Sequence, residues 1–228
     1  MFTLSTGNFV SLSKSKKMSK EMEETSLSRK DRERIFRRKE IMGAAVKFFA
    51  EKGFNATTLE EIAGTAEFGK GTLYNYFQGK EEIYRAIIDD IVANNEELIK
   101  KADANSKSCI EFIENYTKDL FNYCLENKYA VLLFIREVAR LDKYYQDMNH
   151  QELIEKHEKI RELFAKRIEK GVKSKEIRKF DALKLVVLYN HMVFPYVNHL
   201  IICPRPDMDA NEEINFILSV LFEGIKTK

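Results

Sequence analysis

Three observations predict an all-α fold. Apolar residues recur at helical spacing from about residue 31 onward, strict alternation is nearly absent, and proline occurs only at 195, 204 and 206. With 228 residues and 44% apolar content, the chain can bury a substantial core. About nine helices are expected. They divide into a flexible tail over residues 1–30, a three-helix head over 31–80 and a larger helical body over 81–228.

The tail contains a polar run, Ser13-Lys14-Ser15-Lys16-Lys17, which offers little apolar area to bury. It lacks the continuous apolar stretch of a secretory signal, and Met18 and Met22 are alternative translation starts. The first helix, 31–52, places Ile41, Ala45, Phe48 and Phe49 on one face. Gly53 follows, a residue suited to the left-handed turn that ends helices. Thr58 and Glu61 form a T-x-x-E capping box, and Leu59, Ile62, Ala63 and Ala66 then recur at i, i+3, i+4 and i+7. The chain turns at Glu67-Phe68-Gly69 into a short third helix, 70–77, with Leu73 and Phe77 facing inward. Amphipathic helices are then predicted at about 81–101, 107–126, 128–148, 150–173, 181–202 and 211–226.

Helix, tight turn, helix is the pattern of a helix-turn-helix, a wedge whose second helix enters the major groove of DNA. Leu59, Ile62, Ala63, Phe68, Leu73 and Phe77 supply its apolar inside. Lys70, Thr72, Tyr74, Asn75 and Tyr76 remain outside with a thin profile at Gly71, a set able to bond phosphates and base edges. The charge distribution agrees in sign. Residues 1–80 carry 15 basic against 10 acidic side chains, whereas the remainder carries 23 against 26.

The stretch Thr57-Thr58-Leu59-Glu60-Glu61-Ile62-Ala63, followed by Lys70-Gly71-Thr72-Leu73-Tyr74-Asn75-Tyr76-Phe77 and Lys80-Glu81-Glu82-Ile83, closely resembles the DNA-binding signature of TetR/AcrR-family transcriptional regulators. The resemblance is specific over about 38–88 and architectural beyond. It implies a homodimeric repressor, less often an activator, that binds a pseudo-palindromic double-stranded operator and is released by a small molecule. Under it, Thr58, Tyr74, Tyr76 and Lys80 match phosphate-contacting positions. Lys70, Gly71, Thr72 and Asn75, with Glu60 of the supporting helix, match positions that face bases or lie beside them. Two residues depart from the pattern: Glu67 stands where the family often has Gly, and Gly69 where a small hydroxyl or Ala is common. A basic run, Arg29 to Lys39, reads either as an arm tracking DNA or as solvated helix charge.

In the body, the last two long helices are apolar nearly all round, which together with the resemblance favours a homodimer built from them. Asn190, His191, Pro195, Asn198 and His199 interrupt the most apolar stretch, so it is read as a buried helix and not a membrane span. Phe121, Phe134, Glu137, Tyr189, His191 and Asn198 are the candidate lining of a site for a partly apolar effector. Internal hydrogen bonding is the competing role for its polar members. Cys109, Cys124 and Cys203 share no short spacing, which fits a reducing cytoplasm and neither zinc nor disulfides. The four histidines lack partners at metal-ligand spacing, no phosphate loop or nucleophile motif occurs, and neither cofactor nor catalysis is expected. A DNA-bound protein that recruits a protein partner without sensing a small molecule is the alternative.

Overall fold

The computed structural model describes residues 28–141 and 151–225, except the side chains of 137–141, 153 and 225. Most of the tail predicted over 1–30, and the predicted end of one helix at 148, lie outside the described residues. Nine helices are found among the described residues. They are α1 Arg29–Glu51, α2 Leu59–Thr65, α3 Lys70–Tyr74, α4 Lys80–Ala104, α5 Cys109–Glu126, α6 Lys128–Leu141, α7 Gln151–Lys173, α8 Ala182–Ile202 and α9 Ala210–Ile225.

Side-chain caps explain several of the starts. Ser28 Oγ accepts from the Asp31 amide at 3.2 Å, Ser108 Oγ from Glu111 at 3.0 Å, and Asp181 Oδ1 from Lys184 at 2.9 Å. Each satisfies an amide that has no partner within its own helix. Gly53 ends α1 at φ 84°, as its position in the sequence predicts.

The head packs α1 across α2, and α2 against α3. Ile41, Ala45 and Phe49 of α1, Ile62 and Ala63 of α2, Leu73 and Phe77 around α3, and Ile83 of α4 are all buried there. α4 is about 37 Å long at 1.5 Å per residue. Its first turns therefore close the head while Ile91, Val92, Ile99 and Ala102 are buried further along, in the body. α6 also joins the two, packing on α1 and on α4. Arg136 of α6 donates from Nη1 to the Ala50 carbonyl in the last turn of α1 at 2.5 Å, where the helix dipole favours a cation.

The body is centred on an aromatic cluster. Phe164 of α7 meets Tyr116 of α5 and Tyr189 of α8 edge-on, with centroids at 5.0 and 5.1 Å. Both phenols are satisfied where they are buried: Tyr116 donates to Asn95 Oδ1 at 2.7 Å, and the Tyr189 hydroxyl pairs with Thr117 at 2.8 Å. Burial pushes both phenols well above their ordinary pKa.

α8 is only in part the buried helix that the sequence suggests. It is long and apolar enough by composition to cross a membrane, but only about a third of that stretch is buried. Ala182, Leu185, Val186, Tyr189, Val193, Val197 and Leu200 pack inward, and Leu183, Val187, Leu188 and Ile202 stay exposed.

α7 and α5 pack closely at Gly171, where a Cβ would come within 2.5 Å of Cys109 Cβ and 2.9 Å of Ile177 Cδ1. Cys109 Cβ is fixed to the backbone, and both Cys109 and Ile177 are buried, so neither has free room to give way. Gly171→Ala is therefore expected to destabilise the body by about 1–3 kcal/mol, through overpacking. Urea denaturation of the two proteins should show a lower midpoint for the variant, and equal midpoints would remove this contact from the account.

Candidate nucleic-acid interface

α3 is five residues long, shorter than the predicted 70–77, and Asn75, Tyr76 and Phe77 continue it as turns onto the Thr72 and Leu73 carbonyls. A segment this short has no stability of its own. Leu73 and Phe77 hold it down, each of such size that burial contributes about 1.5–3 kcal/mol. Lys70, Gly71, Thr72, Tyr74 and Asn75 are left exposed. Tyr74 is 48% exposed, and nothing stands within 4 Å of where a Gly71 Cβ would lie. Tyr76 is only half-buried: its ring faces Phe68 at 6.3 Å, and its carbonyl accepts from Arg38.

On the same surface, Lys70 is ion-paired with Glu60, so the supporting and recognition helices meet in one exposed charge pair. The Lys70 hydrogen bond holds the Glu60 carboxyl below its ordinary pKa, and the same bond raises that of Lys70. Thr58 forms the predicted capping box. Its Oγ1 accepts from the Glu61 amide at 3.3 Å, and its own amide donates to Glu61 Oε2 at 3.0 Å. Glu61 is also ion-paired with Lys52 of the α1 C-cap, a bond that lowers the pKa of its carboxyl.

Lys80 is placed otherwise than the sequence suggests. Its ammonium turns inward, donating to the Phe54, Asn55 and Thr57 carbonyls at 3.0, 3.2 and 3.2 Å while lying 4.7 Å from the centroid of the Phe54 ring. All three donors are used to hold the α1–α2 loop, so the side chain is a brace there instead of a free phosphate contact.

The six effector candidates are not brought to one place. Phe121, Phe134 and Tyr189 are buried. His191 is exposed, with Nδ1 2.8 Å from the Val187 carbonyl, so it sits on the outer face of α8 and not in an interior pocket. Asn198, seven residues on, shares that face and is half-buried, and the Glu137 side chain lies outside the described residues. Tyr189 lines a small apolar cavity of about 10 Å³ with Phe164, Ile113, Ile168, Leu185, Val186 and Leu221. A residue that sequence reasoning passed over stands nearby in the body. His157 stacks on Phe134 at 5.2 Å, which in turn meets Phe194 at 6.1 Å. Its Nε2 is buried without a hydrogen-bond partner among the described residues, and burial pulls its pKa down to about 4, so it is neutral. Among the described residues no three His, Cys, Asp or Glu side chains gather as metal donors.

The family model described as bacterial regulatory proteins, tetR family, matches residues 41–87, which span the buried face of α1, the whole helix-turn-helix and the start of α4. The HTH-type transcriptional regulator YhgD of Bacillus subtilis is 32% identical over 173 residues, covering 71% of this chain and 85% of that protein. The chain belongs to the TetR family. The HTH-type transcriptional repressor KstR2 of Rhodococcus jostii is 30% identical over 146 residues, covering 62% of this chain and 68% of that protein. Among solved structures, the ketosteroid transcriptional regulator KstR2 of Mycobacterium tuberculosis superposes with a TM-score of 0.70 at 19% identity. It covers 84% of this chain and 96% of that one. The protein is thus a DNA-binding transcriptional regulator of the TetR family, not an enzyme.

Two features of this TetR head are specific to its own residues. Arg38 lies 3.9 Å from the centroid of the Phe77 ring, bonds the Tyr76 carbonyl and pairs with Glu82 at 3.5 Å, while Arg37 lies over Phe68 at 5.3 Å. The last two arginines of the basic run, Arg37 and Arg38, thus brace the recognition helix from behind. Nothing local in the sequence announces these contacts, which join residues 31 to 39 positions apart. The other is Glu67, which adopts φ 58° in the turn. The Phe68 amide returns to the Ala63 carbonyl at 2.8 Å and the Glu67 amide to Gly64 at 3.3 Å, a Schellman closure that demands this left-handed residue.

Left-handed backbone costs a residue with a Cβ about 1–2 kcal/mol, of which glycine's extra unfolded-state freedom gives back roughly half. Glu67→Gly is therefore expected to stabilise the protein by up to about 1 kcal/mol, seen as a raised melting midpoint, and an unchanged or lower midpoint would contradict the strain. Lys80→Met should do the reverse, leaving three carbonyls short of their shared cation at a cost of about 1–2 kcal/mol. The salt dependence of its DNA binding should match that of the unmodified protein. A flatter salt slope at undiminished stability would return Lys80 to the phosphates.

Proposed function

We propose that this TetR-family regulator is a homodimeric, ligand-responsive repressor acting on a pseudo-palindromic operator in the cytoplasm. The observation that carries the dimer is the outer face of α8 and α9. Leu183, Val187, Leu188 and Ile202 on one helix, and Phe216 and Val220 on the other, are large apolar side chains left exposed. Leu188 and Phe216 reach 63% and 55% exposure. A single chain gains nothing from this arrangement, and a second copy would cover it. Buried Glu213 fixes the two helices relative to one another: the Tyr196 hydroxyl donates to it, and Arg205 pairs with it.

Two recognition helices related by a two-fold axis call for two half-sites about one helical turn (~34 Å) or more apart. In this reading Lys70, Gly71, Thr72 and Asn75 face the bases, Lys70 exchanges its Glu60 partner for a guanine acceptor, and Tyr74, Tyr76 and the α2 start at Thr58 position the phosphates. An effector site with an apolar lining is supported by the neutral, unpaired His157 nitrogen beside the Phe134 ring, whereas the cavity at Tyr189, about 10 Å³, has room for no more than one water. The ketosteroid regulator among the structural neighbours points the same way. Buried Cys109 and Cys124, both free thiols, fit a reducing compartment.

Selection of bound fragments from random duplex DNA tests the operator, and light scattering tests the dimer. The full chain should have twice its monomer mass, and the combined Leu188→Glu and Phe216→Glu variant should be a folded monomer that binds the selected duplex at least 100-fold more weakly. A monomeric parent chain, or selected sites without two-fold symmetry, would overturn the dimer. Lys70→Ala should change the base preference in the same selection, and an unchanged preference would move Lys70 out of base reading.

A further inference from the structure

The N-terminal third of α1 makes no use of the head's core. Residues 28–36 are all exposed, yet the helix is started at once by the Ser28 cap, with Asp31 in its first turn. Residues 29–38 carry six basic against two acidic side chains. Their placement around the helix is not uniform. Lys30, Arg34 and Arg38 follow one another at i, i+4 and i+8, and the same row continues into Ile41, Ala45 and Phe49, the buried face that packs on the helix-turn-helix. The side of α1 that is apolar over the head thus becomes basic where the helix outruns it.

The direction of the overhang follows from what holds α1 at each end. Its last turn is tied to the body through the Arg136 bond to Ala50. Its middle is tied to the end of the recognition helix through Arg38 on Tyr76 and Phe77, and Arg37 on Phe68. Lys30 stands about 12 Å further along the axis than Arg38, at 1.5 Å per residue, on the side away from the body. The same row adjoins the recognition helix, since Arg38 bonds the Tyr76 carbonyl at its end.

We infer that the first two turns of α1 form a second DNA contact, in which Lys30 and Arg34 bind backbone phosphates flanking the sequence read by α3. The occupant is set by charge and by continuity: the row is cationic, it adjoins the recognition surface, and it carries no groups arranged to read bases. The contact adds affinity and length of footprint without adding sequence preference. This inference rests on the DNA-binding reading of the head, and its test is chosen to separate the two.

The test compares the full-length chain with Lys30→Ala/Arg34→Ala on a random-sequence duplex of some 40 base pairs, across a salt series. Each phosphate contact contributes about 0.9 to the slope of log affinity against log salt, so the double variant should lose about 1.8 per protomer. The charge-preserving Lys30→Arg/Arg34→Lys variant should keep the slope of the unmodified chain. Circular dichroism and melting midpoint should be alike in all three, because neither residue touches the core. On a selected operator, hydroxyl-radical protection should recede at its outer edges in the alanine variant while the half-site centres stay protected. Binding by the unmodified chain with the same slope and footprint in the alanine variant would overturn the arm alone. Failure of the unmodified chain to bind duplex DNA at low salt would overturn the reading of the head as well.

Discussion

The DNA-reading surface depends on one packing constraint: a helix of five residues has to be held in place by what lies beneath it. Helix nucleation is unfavourable, and α3 makes too few internal bonds to recover that cost. Leu73 and Phe77 supply the difference by being buried in the same core as Ile41, Ala45, Ile62 and Ala63. Everything that sharpens the outer surface of α3 serves the same end. The Schellman turn at Glu67 sets the angle of entry, and the guanidinium of Arg38 clamps the exit by bonding Tyr76 and lying over Phe77. A protein can place Lys70, Tyr74 and Asn75 in the solvent with defined directions only because the other side of the same turns is so well buried.

Much of this was legible in the sequence because it follows from periodicity and local chemistry. The T-x-x-E box at Thr58 and the apolar rows through Ile41 and Ile62 describe contacts within a few residues of each other, and they appear where predicted. The end of α3 was overestimated. Asn75 and Tyr76 keep helical spacing of their side chains while their amides bond back three residues instead of four, and spacing does not distinguish the two. The departure at Glu67 was visible as a residue type, but its cause, a positive φ, is visible only in the backbone.

Charged side chains were less readable than apolar ones, since a lysine or arginine stem reaches far enough to choose among partners distant in sequence. Lys80 illustrates the point. It occupies a position associated with phosphate binding, yet the α1–α2 loop, 23 to 26 residues earlier, offers three carbonyls at hydrogen-bond distance. Arg136 likewise finds Ala50 across 86 residues, and nothing local to it announces that bond. In α8 the difficulty is of another kind. An apolar helix with two apolar faces gives the same composition whether its second face meets its own chain or another one, so His191 could be assigned inward from sequence when it stands outward.

These long-range bonds give α1 a role that its own sequence does not suggest. It is one rod gripped at two points, by α6 at its C-terminal end and by the recognition helix at its middle, and it is exposed at its basic N-terminal end. A rod held this way converts a small movement at one grip into a larger one at the far end. The displacement of the Lys30 region exceeds that of Arg38 in proportion to its distance from Ala50, which at 1.5 Å per residue is about 30 Å against 18 Å. Coupling between body and DNA therefore needs no deformation of the head. It needs only two body states that place Arg136 differently and a ligand that prefers one of them, since a ligand indifferent to that difference would shift nothing.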